Sequence, residues 1–242
     1  IAGIIINKFG YRILHILALL MVSAMMLVII LKFKDNIEIN EKQNNTRIKD
    51  LFKDKNIIFL IIVVFLGMGS YMGLDFAYSS YLVDIVGDVN KANEIYSASI
   101  SFRVVIEFFT FMIIAKYLSN SNSKKCLTIA LSIAAIKVLL FSSGSVFLIV
   151  LGDQLHGIMY GLYLSFLFKY LREILDEHLV ATSFAVLSVL STGGSNFIYP
   201  SIYSLIQGKF GYVGMYILGF ILLILSVVIF FSFLPNPKKS IK

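Results

Sequence analysis

Seven apolar stretches run in succession through this 242-residue chain, each long enough to cross the ~30 Å hydrocarbon core of a bilayer as a helix. They lie at roughly 11–31, 57–83, 95–115, 126–142, 145–168, 179–206 and 212–234, and several exceed the minimum length and would tilt or kink. Strands of a membrane barrel would run about ten residues and alternate in polarity, which these runs do not. Helices are the remaining structure that pairs every backbone polar group inside lipid. The expected fold is therefore an all-α integral membrane bundle. Composition agrees, at 58% hydrophobic and 14% charged, with a mean hydropathy of +0.87. A soluble domain averages about 45–50% apolar and about 25% charged, and its surface could not hide this excess.

The charge pattern sets an orientation. The net charge of +7 lacks the basic stripe with interleaved aromatics that nucleic acid needs, so nucleic acid is not an expected partner. Lys and Arg instead collect on one side of the predicted spans. Lys8, Arg12, Lys91 and Lys209 fall on one face, Arg103 and Lys137 fall within spans, and the other fifteen of the 21 fall on the opposite face. The richer face includes the polar connection 32–56 and the tail 235–242, and the positive-inside rule makes that face cytoplasmic. The expectation is a multi-pass protein of the plasma membrane with a cytoplasmic C-terminus.

Two features suggest how the spans are grouped. Lys8-Phe9-Gly10-Tyr11 recurs as Lys209-Phe210-Gly211-Tyr212, each joining two apolar runs on the outer face. Six spans separate the copies, which points to a parent built of two six-helix halves. The chain opens on Ile1 within an apolar run, with no signal peptide before it. Residues 1–31 are thus expected to be the end of an N-terminal half (the tail of a fifth span, then a sixth). Residues 32–56 are the central loop, 57–234 the C-terminal six-helix half, and 235–242 the tail. The missing N-terminal half would be a partner in the whole protein.

Six ionisable residues lie inside spans: Asp75, Arg103, Glu107, Lys137, Asp153 and His156. A charge at bilayer centre costs about 2.5–3.5 kcal/mol by insertion scales, so such groups face one another or a watery passage. Arg103 and Glu107 are four apart on one helical face and able to pair. His156 follows Asp153 by three on another face. Asp75 and Lys137 are the two that structural pairing or snorkelling would most simply explain. Three acids against two bases leave an imbalance of one proton when His156 is neutral, which suits a proton-coupled carrier. Glu107 and His156 are the titrating candidates, since burial and partners tune a carboxylate or an imidazole toward neutral pH.

Other features read as packing. Gly69/Gly73, Ser97/Ser101 and Gly157/Gly161 have the small-xxx-small spacing that lets helices approach. Gly193-Gly194 and Tyr199-Pro200 should loosen one long span. The Tyr and Phe residues are expected mainly at the lipid face or the interfacial belt. Cys126 is alone, which excludes an intramolecular disulfide and a cysteine metal framework. No hydrolase elbow, zinc-helix, Walker or dinucleotide motif occurs, so neither an enzyme nor an ATP-driven pump is expected, and neither a cofactor nor a metal. The energy source would be the proton motive force.

These residues resemble the major facilitator superfamily, within it the lactose-permease-like branch of sugar and small-solute proton symporters. The span holding Arg103 and Glu107, followed by residues 115–142, is similar to that branch's eighth span, basic turn and ninth span. Lys137 stands where many members have arginine. The run 153–171, DQLHGIMYGLYLSFLFKYL, resembles the tenth span, with His156 at the family's histidine, and both K-F-G-Y junctions resemble the turns before the sixth and twelfth spans. The likeness covers spans six to twelve of twelve. Two positions depart from the branch: Met159 stands where a carboxylate follows the histidine, and Asp153 where a basic residue precedes it. The resemblance implies alternating access between two halves, moving a small solute (sugar, nucleoside or drug-like) with protons through the bilayer. The other readings are a non-transporting membrane sensor or scaffold and a seven-helix receptor. Against the receptor, 212–234 contains no lysine for a retinal Schiff base.

Overall fold

Asp54 opens the main bundle by accepting a hydrogen bond from the Asn56 amide at 2.8 Å, an N-cap that starts the first long helix after the central connection. The computed structural model describes residues 2–32 and 51–237, and every regular element among them is helical. α1 covers Ala2–Lys32. α2 covers Lys55–Asp75, with a π turn at Phe65–Gly69. After a break at 76–77 comes the short α3, Tyr78–Val86, which Gly87 ends in left-handed conformation at φ 70°. α4, Val89–Leu118, is capped by Asp88 on the amides of Asn90 and Lys91. α5 is Ser123–Phe141, capped by Asn122, and α6 is Val146–Ile174. α7, Glu177–Gly193, passes through a π turn at Gly194–Ile198 into α8, Tyr199–Phe233.

Four of the described stretches are both long and apolar enough to cross a membrane: Lys55–Asp75, Val89–Leu118, Val146–Ile174 and Leu179–Phe233. The last has 55 residues, about 80 Å of helix at ~1.5 Å per residue, more than twice the bilayer core. Gly211 resolves this, because its φ of 68° and ψ of −176° break the helix between two limbs. α5 has the length of a span, at 19 residues, but carries Lys124, Lys125 and Lys137.

The stretch 57–83, long enough to tilt or kink, is interrupted at 76–77, where both residues keep right-handed helical dihedrals. Two expectations change here. The two K-F-G-Y copies behave differently: the chain turns at Gly211, whereas α1 continues as helix through Gly10. Glycine within a helix costs only about 1 kcal/mol, which the flanking helix outweighs unless packing demands a turn. Near Gly211 the limb from Tyr212 onward packs Tyr212 and Tyr216 on Tyr81, whereas α1 touches chiefly α4 and is largely exposed. Finally, Tyr71, Tyr78, Tyr170 and Tyr216 are fully buried, so the tyrosines are not mainly lipid-facing. Most of the central loop, 33–50, and the tail 238–242 lie outside the described residues.

Glycines set how closely the helices meet. A Cβ on Gly157 of α6 would stand 2.6 Å from the Arg103 carbonyl oxygen and 2.7 Å from the Glu107 amide nitrogen. A Cβ on Gly161 would stand 2.8 Å from the Thr110 methyl. α6 therefore lies backbone to backbone against α4 at the height of Arg103. The Ser97/Ser101 pair does not act this way, since Ser101 is exposed and the buried serine is Ser99. Gly69 of α2 admits the Tyr199 ring, whose hydroxyl donates to the Phe65 carbonyl at 2.9 Å within the π turn, and Gly73 admits the Tyr199 Cβ and the Tyr203 ring.

At the end where α4, α6 and the last limb finish, lysines cap helix carbonyls. Lys124 Nζ donates to the Phe231 and Leu234 carbonyls at 2.9 and 2.5 Å, and Tyr170 donates to that of Pro235 at 2.8 Å. Lys169 does the same for Ser119 and Ser121, both at 2.7 Å. Basic groups at helix C-termini satisfy carbonyls left without amide partners.

Candidate functional site

Four of the six in-span ionisable residues meet in one network that ties four helices together. Arg103 of α4 reaches Asp75 at the end of α2 at 3.1 Å and Asp153 of α6 at 3.0 Å. Lys137 of α5 reaches the same two carboxylates, at 2.7 and 3.2 Å. Two cations face two anions, so the network is neutral. Asp153 is completely buried, Lys137 is 3% exposed, and the Asp75 side chain retains 23% exposure. Asp75 and Lys137 thus belong to the polar core, and Lys137 does not snorkel.

The second oxygen of Asp153 accepts a hydrogen bond from Ser99 at 2.7 Å, and Gln154 Nε2 donates to the Ser99 oxygen at 3.1 Å. The Lys137 ammonium sits 5.0 Å from the Tyr71 ring centre and 5.2 Å from that of Phe141, within cation–π range. A narrow crevice of about 10 Å³ borders the network, between Tyr71, Leu74, Asp75, Phe141 and Tyr216. The Tyr216 hydroxyl in its wall is buried and has no partner among the described residues.

His156 and Glu107 stand apart. Nδ1 of His156 shares a hydrogen bond of 2.6 Å with the Tyr71 hydroxyl, and its ring stacks between those of Tyr71 and Tyr160. Glu107 is half-buried and forms no ion pair among the described residues. The expected Arg103–Glu107 pair is absent, because the guanidinium turns across the bundle to two carboxylates instead of along its own helix. Sequence spacing alone does not reveal that Tyr71, Ser99 and Tyr160 serve the site. Each does lie four residues from a charged or titratable member, Asp75, Arg103 and His156 respectively, and so shares its helical face.

The apolar helices packed around this neutral ion network form an all-α membrane bundle. The chain matches the MFS_1 like family over residues 1–218, and it belongs to that family, within the major facilitator superfamily of transporters. No curated protein is matched by the chain.

Proposed function

We propose that the protein moves a small solute across the plasma membrane by alternating access, driven by the proton motive force, with its C-terminus in the cytoplasm. The observation that carries this reading is the four-helix network of Asp75, Arg103, Lys137 and Asp153. Charges at bilayer depth mark substrate and ion pathways, and here they join α2, which is broken beside Asp75, to the tightly packed α4, α5 and α6. Broken helices beside a midplane site are the recurrent plan of secondary carriers. A sugar, nucleoside or drug-like solute would lie between the exposed side of Asp75 and a facing surface from an N-terminal half, with no cofactor.

Proton coupling falls to Glu107 and His156, the two titratable members outside the neutral network. Because Asp75, Arg103, Lys137 and Asp153 cancel, a proton taken up by either outlying group changes the net charge of the site. His156 also touches the network side through Tyr71, whose ring lies under the Lys137 ammonium.

The test is uptake from a panel of radiolabelled solutes into proteoliposomes carrying the complete protein, with and without an imposed pH gradient. A gradient should accelerate uptake of at least one solute. Glu107→Gln and His156→Asn should each lower the proton-to-solute ratio; full coupling in both variants would remove these two residues from the mechanism. Equal uptake into protein-free vesicles for every solute would remove the carrier itself.

A further inference from the structure

The network uses only part of Arg103. All three of its hydrogen bonds to carboxylates leave from one nitrogen, Nη1: to Asp75 at 3.4 and 3.1 Å and to Asp153 at 3.0 Å. A guanidinium carries five N–H donors in a rigid planar fork, and its strong mode toward a carboxylate is two parallel bonds along one edge. Neither Nε nor Nη2 has an acceptor among the described residues, and Glu107, four residues along on the same face, does not supply one. Lys137 makes the same two bridges from a single ammonium. A lysine at 103 would therefore serve the internal contacts as well as the arginine does. What the guanidinium adds is a second, planar edge.

That edge is not sealed inside protein, since the Arg103 side chain keeps 14% exposure. Donors without acceptors are expensive at bilayer depth, so an open fork there calls for an oxygen-bearing partner that comes and goes. We infer that the Nε/Nη2 edge of Arg103 is a docking point for an oxyanion, so that the solute carried by the proposed transporter bears a carboxylate or phosphate group. This rests on the carrier reading above and narrows its substrate class. Both anions present two oxygens at the spacing of the fork, and the solute's remaining atoms would lie along the exposed flank of α4.

The complete protein, solubilised in detergent, is heated with sodium acetate, sodium benzoate or sodium phosphate, each against sodium chloride at equal ionic strength, with glucose as a neutral control. At least one oxyanion should raise the unfolding midpoint saturably, by about 3 °C over chloride, while glucose leaves it unchanged. Stabilisation by acetate or benzoate alone assigns the carboxylate, and by phosphate alone the phosphate. Arg103→Lys, which keeps a cation for Asp75 and Asp153, should weaken the half-saturating anion concentration at least about tenfold. The inference is overturned when no oxyanion exceeds chloride, or when Arg103→Lys responds as the parent does. Should that variant not fold, protection of Arg103 from phenylglyoxal by the same anion, read by peptide mass spectrometry, decides the matter, and lack of protection overturns it. Flux separates the two readings: a carrier moving only neutral solutes sinks the oxyanion inference alone, whereas anion binding without flux sinks the carrier.

Discussion

Lys137 shows at the scale of one residue what the chain's physics demands. Its ammonium lies almost wholly inside the bundle, and two carboxylates and two aromatic faces replace its water. Removing one partner of a buried ion network leaves an uncompensated charge, at a cost of about 3–5 kcal/mol. Lys137→Met is therefore expected to lower the thermal midpoint of the solubilised protein sharply, and adding Asp75→Asn to it should recover more than half of the loss. A single variant as stable as the parent would contradict the network. Ser99→Ala should cost less, about 1.5–3 kcal/mol, the worth of one hydrogen bond to a charged group, and Ser99→Thr should restore it. The need for shelter was legible in the sequence, since all four network residues stand out as ionisable groups within apolar runs. Their pairing was not. Arg103 has a same-helix partner in Glu107 by spacing, and only the rotation of α4 against α2 and α6 turns it elsewhere.

At the scale of elements, glycine acts in opposite ways at three positions. Gly157 lets α6 meet the α4 backbone where Arg103 and Glu107 sit, so Gly157→Ala should push the helices apart and destabilise by about 1–3 kcal/mol, visible as a lower unfolding midpoint. Gly211 has a positive φ with extended ψ that an L-residue adopts only with strain, and Gly211→Ala should destabilise by about 1–3 kcal/mol. Gly10, in the matching K-F-G-Y copy, is helical, and Gly10→Ala should leave stability unchanged or raise it by up to about 1 kcal/mol. Equal effects of the two alanine changes would mean that both copies turn. Local sequence is identical at the two junctions, so it could not distinguish them. The difference lies in what each flanking helix packs against.

The whole molecule adds an axis. The ends of α4, α6 and the last limb share one face, where Lys124 and Lys169 cap carbonyls, and this is the face on which positive charge collects along the chain. With Cys126 buried and so a quiet background, Lys209→Cys should react with an impermeant maleimide in intact cells, and Lys239→Cys only after permeabilisation. The reverse labelling would invert the proposed orientation.

By itself the sequence determined that this chain lives in lipid as helices, where its polar connections fall, and which side chains require shelter from the hydrocarbon. Those properties follow from local composition and from free energies of transfer, which each segment carries alone. Tertiary structure decided the break after Asp75, the turn at Gly211 but not at Gly10, and the closing of Arg103 and Lys137 on Asp75 and Asp153. Helical periodicity specifies which residues share a face of one helix; how two helices are rotated and how closely they approach depends on the fit of small against large side chains between them.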